Sequence, residues 1–147
     1  MTVTLYAARV MDAGDVGEIL SEAIDAAPWL PRLHTRAEDI AFASQMIDSG
    51  WVTIAKDAQD TTVGFLTLRG DEILSLYVAP HVQGQGIGPV FLDAAKAHCS
   101  RLRLWTYAQN HGAVRFYLRE GFTEVERTDG SDNEANLPDI CFEWERT

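Results

Sequence analysis

The sequence predicts an α+β fold in which a mixed, largely antiparallel sheet is flanked by about four helices. Strand and helix signals alternate along the chain in the order βααβββαβαββ. Three strand-like runs follow one another between residues 51 and 78, separated only by turn residues, which is the signature of an antiparallel meander. The 147 residues, 46% of them apolar and 23% charged, fit one domain spanning 1–147 that is large enough to cover such a sheet.

Taken in order, Thr2 to Arg9 has strand composition. From Asp12 to Ala27, the residues Val16, Ile19, Leu20, Ala23, Ile24 and Ala27 recur at helical spacing, and Pro28 stops the run. Thr35-Arg36-Ala37-Glu38 is a capping box, in which hydroxyl and carboxylate satisfy free amides at a helix start. The helix it opens has the stripe Ile40, Ala41, Ala43, Ser44 and Ile47, with Gly50 just past its end. The meander strands are Trp51 to Lys56, Val63 to Arg69 and Glu72 to Val78, joined through Asp/Gln/Asp and Gly/Asp turn chemistry. A helix from Gln85 to Cys99, a strand Arg101 to Tyr107 and a helix Asn110 to Glu120 closed by Gly121 come next. Phe122 to Thr128 and Ile140 to Glu145 are the last strands.

Charge and composition narrow the function. Twelve basic against 22 acidic residues leave a formal charge of -10, a field that repels nucleic acid and draws in a cationic amine. No apolar run approaches the ~20 residues of a membrane span, and the opening residues lack the basic-then-apolar layout of a secretory signal, so a cytoplasmic protein without a membrane partner is expected. Cys99 and Cys141 form no Cys-x-x-Cys pair and read as reduced packing residues rather than acyl carriers. The histidines at 34, 81, 98 and 111 have no metal-ligand spacing, and no metal is expected.

The most informative stretch runs Leu76-Tyr77-Val78-Ala79-Pro80-His81-Val82-Gln83-Gly84-Gln85-Gly86-Ile87-Gly88-Pro89. A strand ends at Val78 and a helix starts near Gln85, so the amides between them form a concave anion site at a helix N-terminus. Glycines 84, 86 and 88 let a phosphate approach the backbone. Neither the Lys-Ser/Thr of a P-loop nor the early Gly-x-Gly-x-x-Gly of a dinucleotide fold is present. A second signature opens at Asn110, an N-cap; seven residues on, Tyr117 has turned about 700°, which puts both polar groups on one helix face.

Together, Gln83-x-x-Gly86-x-Gly88 after Leu76-Tyr77-Val78 and Asn110-x-x-Ala113-x-x-Phe116-Tyr117-x-x-x-Gly121-Phe122 resemble the two coenzyme A signatures of the GNAT N-acetyltransferases. The resemblance implies an acetyltransferase using acetyl-CoA as co-substrate, with a V-shaped opening between the fourth and fifth strands. It implies that the amides of Gln83, Gly84, Gln85, Gly86, Ile87 and Gly88 hold the pyrophosphate, and that Leu76, Tyr77 and Val78 run beside the pantetheine. Members often carry a basic residue where this chain has Gln83 and Gln85, so Arg115 and Arg119 are the compensating candidates. Tyr117 matches the residue that many members use as general acid toward the sulfur.

Glu72, eleven residues before Gln83, stands where some members place a catalytic glutamate, and is the expected base; His81 and water are its rivals. The connection Asp129 to Asp139 exceeds ordinary hairpin length, and the resemblance implies that it lies near the acceptor opening, where Glu134 or Asp139 would meet a cationic amine; Trp29 to His34, between the first two helices, is the other expected acceptor wall. The acceptor, small molecule or peptide amine, stays open, as does a homodimer. A module that binds acyl-CoA without turnover is the competing class.

Overall fold

The structure, a computed structural model, describes residues 1–147. It runs through β1 (Thr4–Ala7), a 3-10 turn (Val10–Asp12), α1 (Ala13–Asp25), α2 (Arg36–Asp48), β2 (Val52–Lys56), β3 (Thr62–Arg69) and β4 (Glu72–Val78). A second 3-10 turn (Pro80–Val82), α3 (Ile87–His98), β5 (Arg101–Tyr107), α4 (His111–Arg119), β6 (Thr123–Thr128) and β7 (Asp139–Glu145) complete it. The order is the expected one, with ends displaced by a residue or two. The seven strands form one sheet in the order β1-β2-β3-β4-β5-β7-β6, antiparallel throughout except at β4–β5. A parallel neighbour requires a crossover, and α3 supplies it.

That single parallel pair holds for two residue pairs, Glu72 with Arg103 and Ile73 with Leu104, and then opens. On the other side of β4 the register shifts between Thr67 and Leu68: Ser75 pairs with Thr67 and Ile73 with Leu68, which leaves Leu74 as an extra residue. A bulge of this kind bends a strand and increases its twist. It falls at the position where β4 leaves β5, so the backbone from Ser75 onward has no strand neighbour on that side.

The core joins both ends of the chain. Phe65, Phe91, Phe122, Phe142, Ile54 and Leu104 are all essentially inaccessible. Gly64 lets α3 approach the sheet, since a Cβ there would stand 2.9 Å from the Tyr77 carbonyl oxygen and 3.1 Å from the Phe91 ring.

Helix α2 departs from the expected stripe. Its buried residues are Asp39, Ala43, Met46 and Ile47, whereas Ile40 and Ala41 are exposed. The cause is the crossing of α1 and α2, which meet backbone to backbone: a Cβ on Gly17 would lie 2.7 Å from Ile40 Cα. That contact turns Asp39 inward. Its carboxylate accepts from the Ser21 hydroxyl at 2.5 Å and from Arg32 Nη1 at 3.0 Å. Arg32 also donates to Asp25 Oδ1 at 2.8 Å, to the His34 carbonyl at 2.9 Å and to the Ser21 carbonyl at 2.9 Å. One guanidinium thus ties the α1–α2 connection to both helices.

Gly17→Ala gains about 1 kcal/mol of helix propensity but overpacks the crossing, typically at about 1–3 kcal/mol. Because the obstacle is Ile40 backbone and cannot swing aside, we expect net destabilisation, seen as a lower midpoint in denaturant. An unchanged or raised midpoint contradicts this account of the crossing.

Candidate active site

Where β4 and β5 part, three cavities meet. A slot of about 70 Å³ lies between Ile73–Tyr77 and Leu104–Thr106, with Asn110, Ala113 and Tyr117 also lining it. On one side it meets a cavity of about 710 Å³ bounded by Val78, Gln83, Gly84, Gly86, Gly88 and α4. On the other it meets a cavity of about 350 Å³ bounded by Trp29, Leu74, Trp105, Tyr107, Asn133 and Asp139. Tyr77 and Asn110 line all three. Tyr77 and Asn110 thus stand where the slot and the two chambers adjoin.

The glycine turn forms one end of the larger chamber. Gly84 and Gly86 have φ of +77° and +83°, a region that any other residue enters only with strain, and an added Cβ at either would meet nothing within 4 Å. The turn is thus shaped by conformation and left open in space. Gly88 has a different role: its Cβ would stand 2.9 Å from the Phe116 ring, so this glycine is needed to seat α3 against α4. The amides of Ile87 and Gly88 are first-turn amides without intrahelical acceptors. The Gln83 side-chain amide donates to the Val78 carbonyl at 3.3 Å, bracing the turn against the strand end, and Gln85 does not line the chamber. Of the two candidate arginines, Arg119 lines it and Arg115 does not.

Helix α4 brings Asn110 and Tyr117 together as their spacing requires. Asn110 caps the helix, its side-chain oxygen accepting from the Ala113 amide at 3.2 Å. Tyr117 is 7% exposed, its ring packed edge-on against Phe116 and Phe122 at centroid distances of 5.1 and 5.5 Å. It lines both the slot and the larger chamber, and its hydroxyl is not among the enclosed oxygens left without a partner, so it reaches the cavity surface. Burial, with a smaller contribution from the Tyr77 phenol, pushes its pKa well above the usual phenol value. The group stays protonated at neutral pH.

The smaller chamber is walled by both predicted acceptor segments. Trp29 stands edge-on to Tyr107, ring centroids 5.8 Å apart. Asp139 accepts from the Thr128 hydroxyl and from Asn133 Nδ2 at 3.2 Å, both neutral donors, and no cation pairs with it. Tyr107, whose phenol is pushed up by burial first and then by Asp139 and Glu134, had no motif to mark it; its position three residues before Asn110 was the available signal.

His34 and Glu134 also meet, as an ion pair joining the α1–α2 connection to the β6–β7 connection. Glu38 lies 3.7 Å from His34 Nδ1. Glu134, by hydrogen bond and then by charge, with Glu38 adding less, raises the imidazole pKa above its ordinary 6.5. A raised folded-state value means that the pair's contribution is complete below that ordinary value and is lost as pH rises through the raised one. Titration of His34 followed by NMR should give an elevated pKa that returns toward normal in Glu134→Gln. An unshifted imidazole in the wild type is the contrary result.

Glu72 is not brought to the opening. Its carboxylate accepts from Arg69 Nη2 at 2.7 Å, it lies at the closed end of the parallel pair, and it lines none of these cavities. Six residues of strand, about 20 Å, separate it from Val78. His81, in the exposed 3-10 turn, lines none of them either. Cys141 is buried and Cys99 half-buried, both as free thiols. No group of three His, Cys, Asp or Glu side chains converges as metal ligands. No helix is long and apolar enough to cross a membrane.

A splayed parallel pair with an amide-rich turn on one side is the architecture of an acyltransferase class, and the comparisons agree. Residues 23–136 match the family model described as acetyltransferase (GNAT) domain, and the chain belongs to the GNAT acetyltransferases. Membership makes it an acyltransferase with acetyl-CoA as co-substrate, and the binding-module alternative gives way to an enzyme. It is 33% identical over 97 residues to peptidyl-lysine N-acetyltransferase YjaB of Salmonella typhimurium, covering 66% of this chain and 67% of that protein. Among solved structures, apo YjaB from Escherichia coli superposes with a TM-score of 0.83 at 24% identity, over the whole of both chains. The structure of yncA from Salmonella typhimurium with its cofactor acetyl-CoA superposes with a TM-score of 0.72 at 20% identity, over 100% of this chain and 95% of that one.

The residues present suit the co-substrate. The larger chamber couples an open turn of left-handed glycines and first-turn amides to an exposed arginine, a donor set for a pyrophosphate. Unpaired β4 backbone leads from that turn into the slot.

Proposed function

We propose that this chain, acting as one domain, acetylates a cationic primary amine by direct attack within a ternary complex. The observation that supports this most strongly is the pair of chambers joined at Tyr77 and Asn110, one lined by amides and the other carrying an unpaired carboxylate. Bound acetyl-CoA supplies a thioester carbonyl for attack. The turn from Gln83 to Gly88, with Arg119, holds its pyrophosphate, and the backbone of Leu76, Tyr77 and Val78 aligns the pantetheine. Tyr117 gives its phenolic proton to the departing sulfur. Asp139 holds the incoming ammonium beside Trp29 and Tyr107. The ammonium's proton leaves through water in the opening, since Glu72 is engaged by Arg69. The names of the YjaB relatives as peptidyl-lysine acetyltransferases support an amine of lysine type as one acceptor.

The test is acceptor kcat/KM by free-thiol release, for matched cationic and zwitterionic amines at low and high salt. Cationic amines are expected to win, by a margin that shrinks once the Debye length falls well below ~8 Å. Asp139→Asn is expected to lower acceptor kcat/KM more than coenzyme A affinity. An anionic preference, or discrimination that survives both salt and Asp139→Asn, overturns this reading.

A further inference from the structure

We propose that the acceptor carries its amine on a compact apolar body, an aryl- or branched alkyl-amine, seated in a second cavity that opens off the acceptor chamber. The inference rests on the acceptor side read above. This cavity, about 630 Å³, shares Ile24, Leu30, Tyr77 and Tyr107 with the chamber that holds Asp139, so one molecule can occupy both. Its volume lies within the ~300–1,000 Å³ of small-molecule sites.

Its walls decide the chemistry. Leu20, Ile24, Leu30, Leu33 and Phe42 dominate them. Phe42 and Leu33 are 51% and 48% exposed, an apolar surface on α2 and the adjoining connection that the fold itself leaves uncovered. The charged groups here already have partners: Asp39 is held by Arg32 and Ser21, and His34 by Glu134 and Glu38. A ligand's positive charge therefore belongs at Asp139, and its apolar part here, where burial of a ring repays its transfer from water.

The His34–Glu134 pair links the two walls of this cavity, which both residues line. Both side chains are about half exposed, so a ligand meets this pair at the rim of the cavity and its apolar part among the leucines and Phe42.

The experiment compares phenethylamine, ethylamine and a polar peptide containing one lysine, with acetyl-CoA and thiol detection, on the intact protein. Phenethylamine is expected to exceed ethylamine by about tenfold or more in kcat/KM, the scale on which apolar pockets discriminate. Phe42→Ser and Leu33→Ser, at half-exposed positions on which the core does not depend, are expected to shrink that ratio severalfold. Equal use of the two amines, a ratio unaffected in both variants, or preference for the peptide overturns the proposal. Acetylation of ethylamine without a phenethylamine advantage defeats this inference alone. Failure of every amine while coenzyme A still binds defeats the proposed function with it.

Discussion

Gly86→Glu is expected to weaken coenzyme A binding at least about tenfold in calorimetric titration of the folded protein. Gly86 is the N-cap of α3 at φ +83°, with open space where a Cβ would be. The substitution fills that space, strains the backbone by about 1–3 kcal/mol and sets a negative charge at the positive end of a helix dipole, where an anionic ligand must bind. Gly86→Ala separates these effects, because it carries the strain without the charge. If Gly86→Glu binds as the wild type does, the turn is not the pyrophosphate site. If the two variants bind equally weakly, conformation rather than electrostatics is responsible.

Tyr117→Phe is expected to lower kcat by about 10² to 10⁴ while leaving coenzyme A affinity within a few-fold of the wild type. That split is the signature of an interaction made mainly in the transition state. Packing stays intact, since the ring contacts with Phe116, Phe122 and Phe142 need no hydroxyl. Removal of one oxygen that faces the cavity therefore isolates proton donation from core stability. The measurement must use an acceptor whose chemical step limits turnover. Wild-type kcat under those conditions reduces Tyr117 to a packing residue.

The strand and helix order was legible because it is written in local periodicity. The strand runs Val63 to Arg69 and Glu72 to Val78 with the Gly70-Asp71 turn between them, and the Thr35 capping box, act over a few residues, and the structure reproduces them, including the Thr35–Glu38 bonds in both directions. The Asn110-to-Tyr117 spacing was equally legible, because helical geometry alone puts the two on one face. Gly88 was half legible. It belongs to the glycine turn by sequence, but its contact is with Phe116, 28 positions away, a partner that no spacing announces.

The carboxylates show the same division more sharply. Glu72 and Asp139 both stand at the first residue of a strand, and nothing local separates them. Glu72 starts the two-pair stretch that holds β4 to β5, and Arg69, three residues back across the turn, takes its charge. Asp139 borders the open side, where Asn133 and Thr128 orient it with neutral donors and leave its charge uncompensated. The sequence alone determined the elements, the amide turn and the helix face that points at it, since each is set by backbone conformation over one or two turns. Only the tertiary structure decided which acid is left unpaired beside the opening, that His34 meets Glu134, and that Arg32 ties the α1–α2 connection to both helices. A charge takes as partner whatever the packed sheet brings within about 3 Å, and those neighbours come from segments far apart in the chain.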